Sequence, residues 1–169
     1  GWSYDTEIPD FSGPLGVELL EPTRLYTKAL VGVLSAHPGA IRVLSHVTGG
    51  GIAQNLSRVL PPHVAVDVDR STWTPTPIMQ VLARAAGFNL ERVEDTWNMG
   101  IGMLAVVDQA RAADITQALE NSGHTTWQVG EVREISAADH EGAVTSAKGV
   151  EGGAVTLVSG YADSSSARS

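Results

Sequence analysis

The chain of 169 residues contains no cysteine. Disulfides and thiol catalysis are therefore excluded. Basic residues are scarce, with 11 Lys plus Arg against 19 Asp plus Glu and a net charge of −8. That balance opposes broad binding to nucleic acid or to anionic membranes, both of which need basic surface. A small phosphorylated compound needs only local positive potential and stays open as a ligand. The histidines at 37, 46, 63, 124 and 140 include no i, i+4 pair, so no metal site is expected. No apolar run approaches the ~18 residues of a membrane span. No signal peptide and no internal repeat are visible. A soluble, cytoplasmic protein is the expectation.

What is present reads as one globular domain. Hydrophobic residues make up 43% and charged residues 18%, and the length suits a single core. Residues 1–18 contain Pro9, Gly13, Pro14 and Gly16 and read as an extended connector. With Gly1 in first place, this opening reads as cut from something longer. Residues 161–169, rich in serine, read as a frayed tail. The domain itself is placed at 19–160.

Pro22 suits the first turn of a helix whose stripe is Leu25, Ala29, Leu30, Val33 and Leu34, ending before Pro38 and Gly39. Strands are predicted at 41–48, 64–69, 103–107, 125–132 and 155–159. Helices are predicted from Ile52 to the stop at Pro61 and Pro62, from Pro77 to Gly87, and from Ala110 to Asn121, with a short one capped by Asn89. Residues 133–153 are polar and glycine-bearing. The alternation implies an α/β fold, a layered domain with a mixed sheet covered by helices.

The densest run lies at 46–61, His-Val-Thr-Gly-Gly-Gly-Ile-Ala-Gln-Asn-Leu-Ser-Arg-Val-Leu-Pro. It reads as strand, glycine loop and helix. Glycines let backbone N–H groups approach an anion closely, and a helix start adds free donors and positive dipole. Gly49, Gly50 and Gly51 are thus a candidate phosphate cradle. A triple glycine equally suits a tight turn between packed elements, and Ile52 stands where a P-loop has its lysine. Thr48 precedes the loop, and His46 can donate to a phosphate or pack in the interior. Asn55 falls beside the Ile52, Leu56, Val59 stripe, so its amide needs a partner from protein or ligand. Arg58, one turn on, can share its site or lie on the surface.

Weaker candidates lie elsewhere. Arg24 and Lys28, at i, i+4 on the first helix, form a small basic face. Asp67 and Asp69 share one face of a strand and suit a cation, acid/base work or a solvated strand end. Asn98, Gly100 and Gly102 mark close backbone approach before a strand, to a ligand or to a neighbouring element. No nucleophile with a base emerges.

Taken together, the motifs resemble the C-terminal half of phosphoribosylformylglycinamidine cyclo-ligases, the aminoimidazole ribonucleotide synthetases. The resemblance is carried by Leu-Leu-Glu-Pro-Thr-Arg-Leu-Tyr-Thr-Lys at 19–28, the run 46–61, Val-Asp-Arg-Ser-Thr-Trp at 68–73, Thr-Trp-Asn-Met-Gly-Ile-Gly-Met at 96–103 and Val-Gly-Glu-Val at 129–132. Trp97 stands where the family has Phe, Asp95 where a basic residue is common, and Asp67 at a usually apolar position. Residues 133–169 carry no recognised motif.

The resemblance implies ATP-dependent closure of an imidazole ring in purine biosynthesis. It implies a partner N-terminal domain that supplies most of the ATP and Mg site and the homodimer interface. This domain would form one wall of an interdomain cleft, with a small phosphorylated substrate beside the glycine loop. Selenophosphate synthetase, a hydrogenase-maturation protein and thiamine-phosphate kinase share the two-domain plan. A stand-alone module that binds a phosphorylated metabolite and a purely structural lobe are the other readings. An excised domain is expected to expose an apolar patch near the glycine loop and residues 99–103.

Overall fold

A computed structural model describes residues 1–162. Its elements are α1 (Leu15–Leu19), α2 (Thr27–Ala36), β1 (Ile41–His46), α3 (Gly51–Ser57), β2 (Val64–Asp69), α4 (Pro77–Ala85), β3 (Met103–Val107), α5 (Ala112–Asn121), β4 (Val132–Glu134), β5 (Val144–Ala147) and β6 (Val150–Val158). β1 and β3 form a two-stranded antiparallel sheet. The other four strands form a mixed sheet in the order β4-β2-β6-β5, in which β2 and β6 run parallel. The mixed α/β layering expected from the alternation is present.

The main core gathers the apolar faces of these elements. Ile52 and Leu56 of α3, Val66 and Val68 of β2, Trp73 and Met99 all meet in it. α3 lies against β5 and β6. Glycines allow this close approach. A β-carbon at Gly152 would overlap the Ser57 carbonyl oxygen, and one at Gly153 would meet Leu60 and the Val64 carbonyl. α2 and α5 pair over a smaller core of Val33, Ala40 and Ile115. α4 starts on Pro77, whose missing N–H costs nothing there. It ends at Gly87, where φ is +71°.

Several expectations need correction. Residues 1–18 are not a free connector. Ile8 and Leu15 are buried against Val81 of α4, with Phe11 and Ile78 beside them. Two spaced apolar anchors suffice to dock a segment rich in Pro and Gly. The helix expected from Pro22 begins at Thr27. Arg24 therefore lies outside it, and the Arg24/Lys28 face does not form. The strand expected at 125–132 is regular only at Val132–Glu134. Upstream, the Val129 carbonyl accepts from the Asp69 amide at 2.8 Å. The polar stretch 133–153 supplies β5 and the start of β6.

The expected apolar patch is also misplaced. Met99, Ile101 and Leu104 lie in the core, while Val17, Leu19, Leu20 and Leu25 stand exposed. The tail does not begin at 161, because Tyr161 is anchored. Residues 163–169 of the expected tail lie outside the described residues. No helix among the described residues is long and apolar enough to cross a membrane.

Candidate functional site

β1 delivers the chain to the glycine loop, and Gly50 and Gly51 turn it into α3. Both need the left-handed region, with φ of +101° and +65°, where a side chain would strain the backbone. The three glycines do different work. A β-carbon at Gly49 would meet nothing within 4 Å, one at Gly50 would press on the Gln54 side chain, and one at Gly51 would overlap the Glu94 carbonyl. Gly51 thus serves packing, whereas Gly49 borders open space. The Gly51 amide is held by the Thr48 carbonyl at 3.1 Å.

Asn55 organises this loop from inside the protein. It is 1% exposed. Its Nδ2 donates to the carbonyls of Gly51 at 2.8 Å, Thr48 at 3.2 Å and Gly49 at 3.4 Å. Its Oδ1 accepts from Arg58 Nη2 at 3.1 Å and from Thr48 Oγ1 at 3.4 Å. Its own carbonyl accepts from the buried Ser45 hydroxyl at 2.8 Å. Of the two partners left open for this amide, protein or ligand, the protein supplies one: the loop itself satisfies it. Asn55 is thus placed to shape the loop. Thr48, Gly49, Gly50, Gly51, Asn55 and Arg58 do form one cluster.

The other predicted residues fall elsewhere. His46 is exposed at the end of β1, its ring 6.1 Å from that of Tyr26 in an edge contact. Tyr26 also lies 5.6 Å from His124. Its phenol occupies the space a side chain at Gly102 would need, just as Thr76 crowds Gly100. The close approach signalled by those glycines is therefore to neighbouring elements. Asn98 Oδ1 accepts from the Gly100 amide at 3.0 Å, and the Trp73 indole donates to the Met99 carbonyl at 3.0 Å. That pair of bonds holds Met99 at its positive φ of 52°.

Asp69 accepts from the Ser71 hydroxyl and amide, and these bonds hold its carboxyl below the usual range. It caps a 3₁₀ turn. Asp67 pairs with Arg133 at 3.3 Å. Lys28 is exposed on α2. Arg24, Tyr26, Gly100 and His124 line a cleft of about 520 Å³ along β3 and the 124–132 segment, apart from the glycine loop. Among the described residues no group of three His, Cys, Asp or Glu is placed to hold a metal ion.

Residue-by-residue reading missed Arg70, Glu94 and Tyr161. Arg70 and Glu94 join as a bidentate ion pair, and Tyr161 donates to Glu94. Arg70 lies in the run 68–73, yet nothing local marks the pairing, because the partners lie 24 to 89 positions away.

The fold and loop define a class: a layered α/β domain whose strand–glycine–helix junction is braced by a buried asparagine. The chain belongs to the family described as AIR synthase related protein, C-terminal domain, which it matches over residues 3–139. It is 35% identical over 133 residues to a phosphoribosylformylglycinamidine cyclo-ligase of Bacillus licheniformis, with 79% of this chain and 38% of that protein covered. It is 36% identical over 132 residues to the enzyme of that name from Sorangium cellulosum, covering 78% of this chain and 38% of the relative. A Streptomyces fradiae protein, provisionally given the same name, is 40% identical over 132 residues, covering 78% of this chain and 71% of its own length. The chain thus spans little more than a third of the Bacillus and Sorangium proteins it matches.

Proposed function

We propose that this chain is the C-terminal domain of an ATP-dependent cyclo-ligase that converts formylglycinamidine ribonucleotide to aminoimidazole ribonucleotide in de novo purine biosynthesis in the cytoplasm. The observation that carries the proposal is the Asn55-braced glycine loop, which lies within the residues 3–139 that match the family. The domain supplies one wall of an interdomain cleft. A further N-terminal domain supplies the other wall, most of the ATP site and the homodimer contact. The Mg²⁺ that accompanies ATP is assigned to the N-terminal domain, and no step here is routed through it.

In the reaction the formyl oxygen takes the γ-phosphoryl group of ATP and ADP leaves. The amidine nitrogen then attacks the activated carbon, and phosphate departs with the formyl oxygen. Little of this needs covalent help from the protein, so positioning and charge stabilisation dominate. This domain's part is to hold the substrate phosphate. The first turn of α3 offers N–H groups without intrahelical acceptors. Gly49 leaves room for close approach. Arg58 adds a guanidinium, and His46 and Thr48 stand at the loop's entrance. Arg24, Lys28, Asp69, Asn98 and Gly100 serve other parts of the fold or its surface.

The test is a paired assay with formylglycinamidine ribonucleotide, ATP and Mg²⁺. The 169-residue chain alone is expected to form no product, because half a cleft cannot position both substrates. A longer two-domain protein carrying this domain is expected to form it, and to lose substrate binding with Gly50→Val. Product from the chain alone, or none from the two-domain protein, contradicts the proposal.

A further inference from the structure

Three side chains distant in sequence meet beside the glycine loop. Arg70 Nε donates to Glu94 Oε2 at 2.7 Å and its Nη2 to Oε1 at 2.5 Å. Nη1 donates to the carbonyls of Leu157 at 2.7 Å and Ser159 at 3.0 Å. The Tyr161 hydroxyl donates to Glu94 Oε2 at 2.8 Å. The Tyr161 ring stands edge-on to Trp73, with centroids 5.4 Å apart, and the Arg70 guanidinium lies 5.8 Å from it. The ion-paired side chains are only 12% and 14% exposed. A bidentate pair so far removed from water repays its desolvation only when its remaining donors and lone pairs are used. Here two carbonyls and a phenol use them.

The clamp fixes the backbone at Glu94, and Gly51 packs directly on that backbone. A β-carbon on Gly51 would overlap the Glu94 carbonyl oxygen and crowd the Asp95 Cα at 3.3 Å. Gly51 is therefore gripped three times, first at its amide by the Thr48 carbonyl. Asn55 Nδ2 holds its carbonyl, and the Glu94–Asp95 peptide bears on its Cα. If the Glu94 carboxylate were released, the peptide would lose its anchor, and one of the three constraints on Gly51 would slacken.

We propose that Arg70, Glu94 and Tyr161 are positioning residues for the glycine loop: by clamping Glu94 they set the backbone of Gly50 and Gly51. The end of β6 is thereby coupled to the loop, since the same guanidinium holds Leu157 and Ser159. Only the consequence for ligand binding rests on the cyclo-ligase reading; the clamp itself is a property of this chain.

Amide hydrogen exchange on the ¹⁵N-labelled 169-residue chain tests this. The variants are Glu94→Gln and Tyr161→Phe, with Arg42→Ala as a control that breaks the surface pair to Asp108. Both clamp variants are expected to shift the Gly50 and Gly51 signals. They should speed exchange at Gly51 at least about tenfold relative to Val68 in the core, a local opening and not a global loss of stability. The control should move neither. Unchanged Gly51 signals and exchange in folded clamp variants overturn the proposal. If Glu94→Gln does not fold, Tyr161→Phe, which removes one oxygen atom, decides alone. Inorganic phosphate added to the wild-type chain scores the cradle separately. If no loop amide moves, phosphate binding is refuted, while the exchange result still judges the clamp.

Discussion

The side-chain amide of Asn55 donates to the Gly51 carbonyl at 2.8 Å, four residues back along the chain. In this relationship a buried polar group spends its hydrogen bonds on the carbonyls of a loop. Replacing Asn55 with Ala leaves three carbonyls and the Arg58 guanidinium short of a partner. The expected loss is about 2–3 kcal/mol of unfolding free energy, the penalty for unsatisfied buried groups. Asn55→Asp is expected to do worse at neutral pH, because a carboxylate cannot donate to carbonyls. Urea unfolding of the two variants checks both the size and the order.

The glycines of the loop are expected to separate under substitution. Gly49→Ala enters open space, and a change of no more than about 0.5 kcal/mol is expected, as for ordinary surface sites. Gly51→Ala meets the Glu94 carbonyl at a φ of +65°. It should cost more than about 2 kcal/mol, since overpacking and backbone strain add. Equal costs for the two would contradict the division of labour between them.

The pH dependence has two limbs with opposite signs. The Arg133 guanidinium, then the Ser136 hydroxyl and amide, hold the Asp139 carboxyl well below its usual range. A carboxyl lowered in the fold stabilises above its unfolded value, near pH 4, and that stability is lost as pH falls through the folded value. Asp139→Asn should flatten the acid limb. Burial, then the bond to Glu94, pushes the Tyr161 phenol well above its usual value. Its contribution is whole below about pH 10 and is lost as pH rises further. Tyr161→Phe should remove that alkaline loss, as read from thermal unfolding across the range.

Much of the frame was legible because its signals are local. β2 at Val64–Asp69 and β3 at Met103–Val107 follow from β-branched runs between turn residues, and α4 from Pro77 and Gly87. The docking of residues 1–18 was not legible, because Ile8 and Leu15 are two apolar residues among prolines and glycines, and their partner Val81 lies far along the chain. The 125–132 segment has a strand's composition but pairs in a regular ladder only from Val132. Asn55 was legible as a polar residue out of place, yet only the structure shows that the loop itself satisfies it. Arg70 sits in the recognised run 68–73, but no local pattern links it to Glu94 and Tyr161, and their meeting is a consequence of the fold.

The most direct measurement is titration of formylglycinamidine ribonucleotide into the ¹⁵N-labelled chain, following backbone amides. The predicted result is a saturable shift of Gly49, Gly50, Gly51 and Ile52 that Arg58→Ala weakens and Gly50→Val abolishes. Amides of the loop that stay in place at millimolar ligand, in a chain that is folded, would contradict the phosphate cradle and leave the three glycines with a role in packing alone.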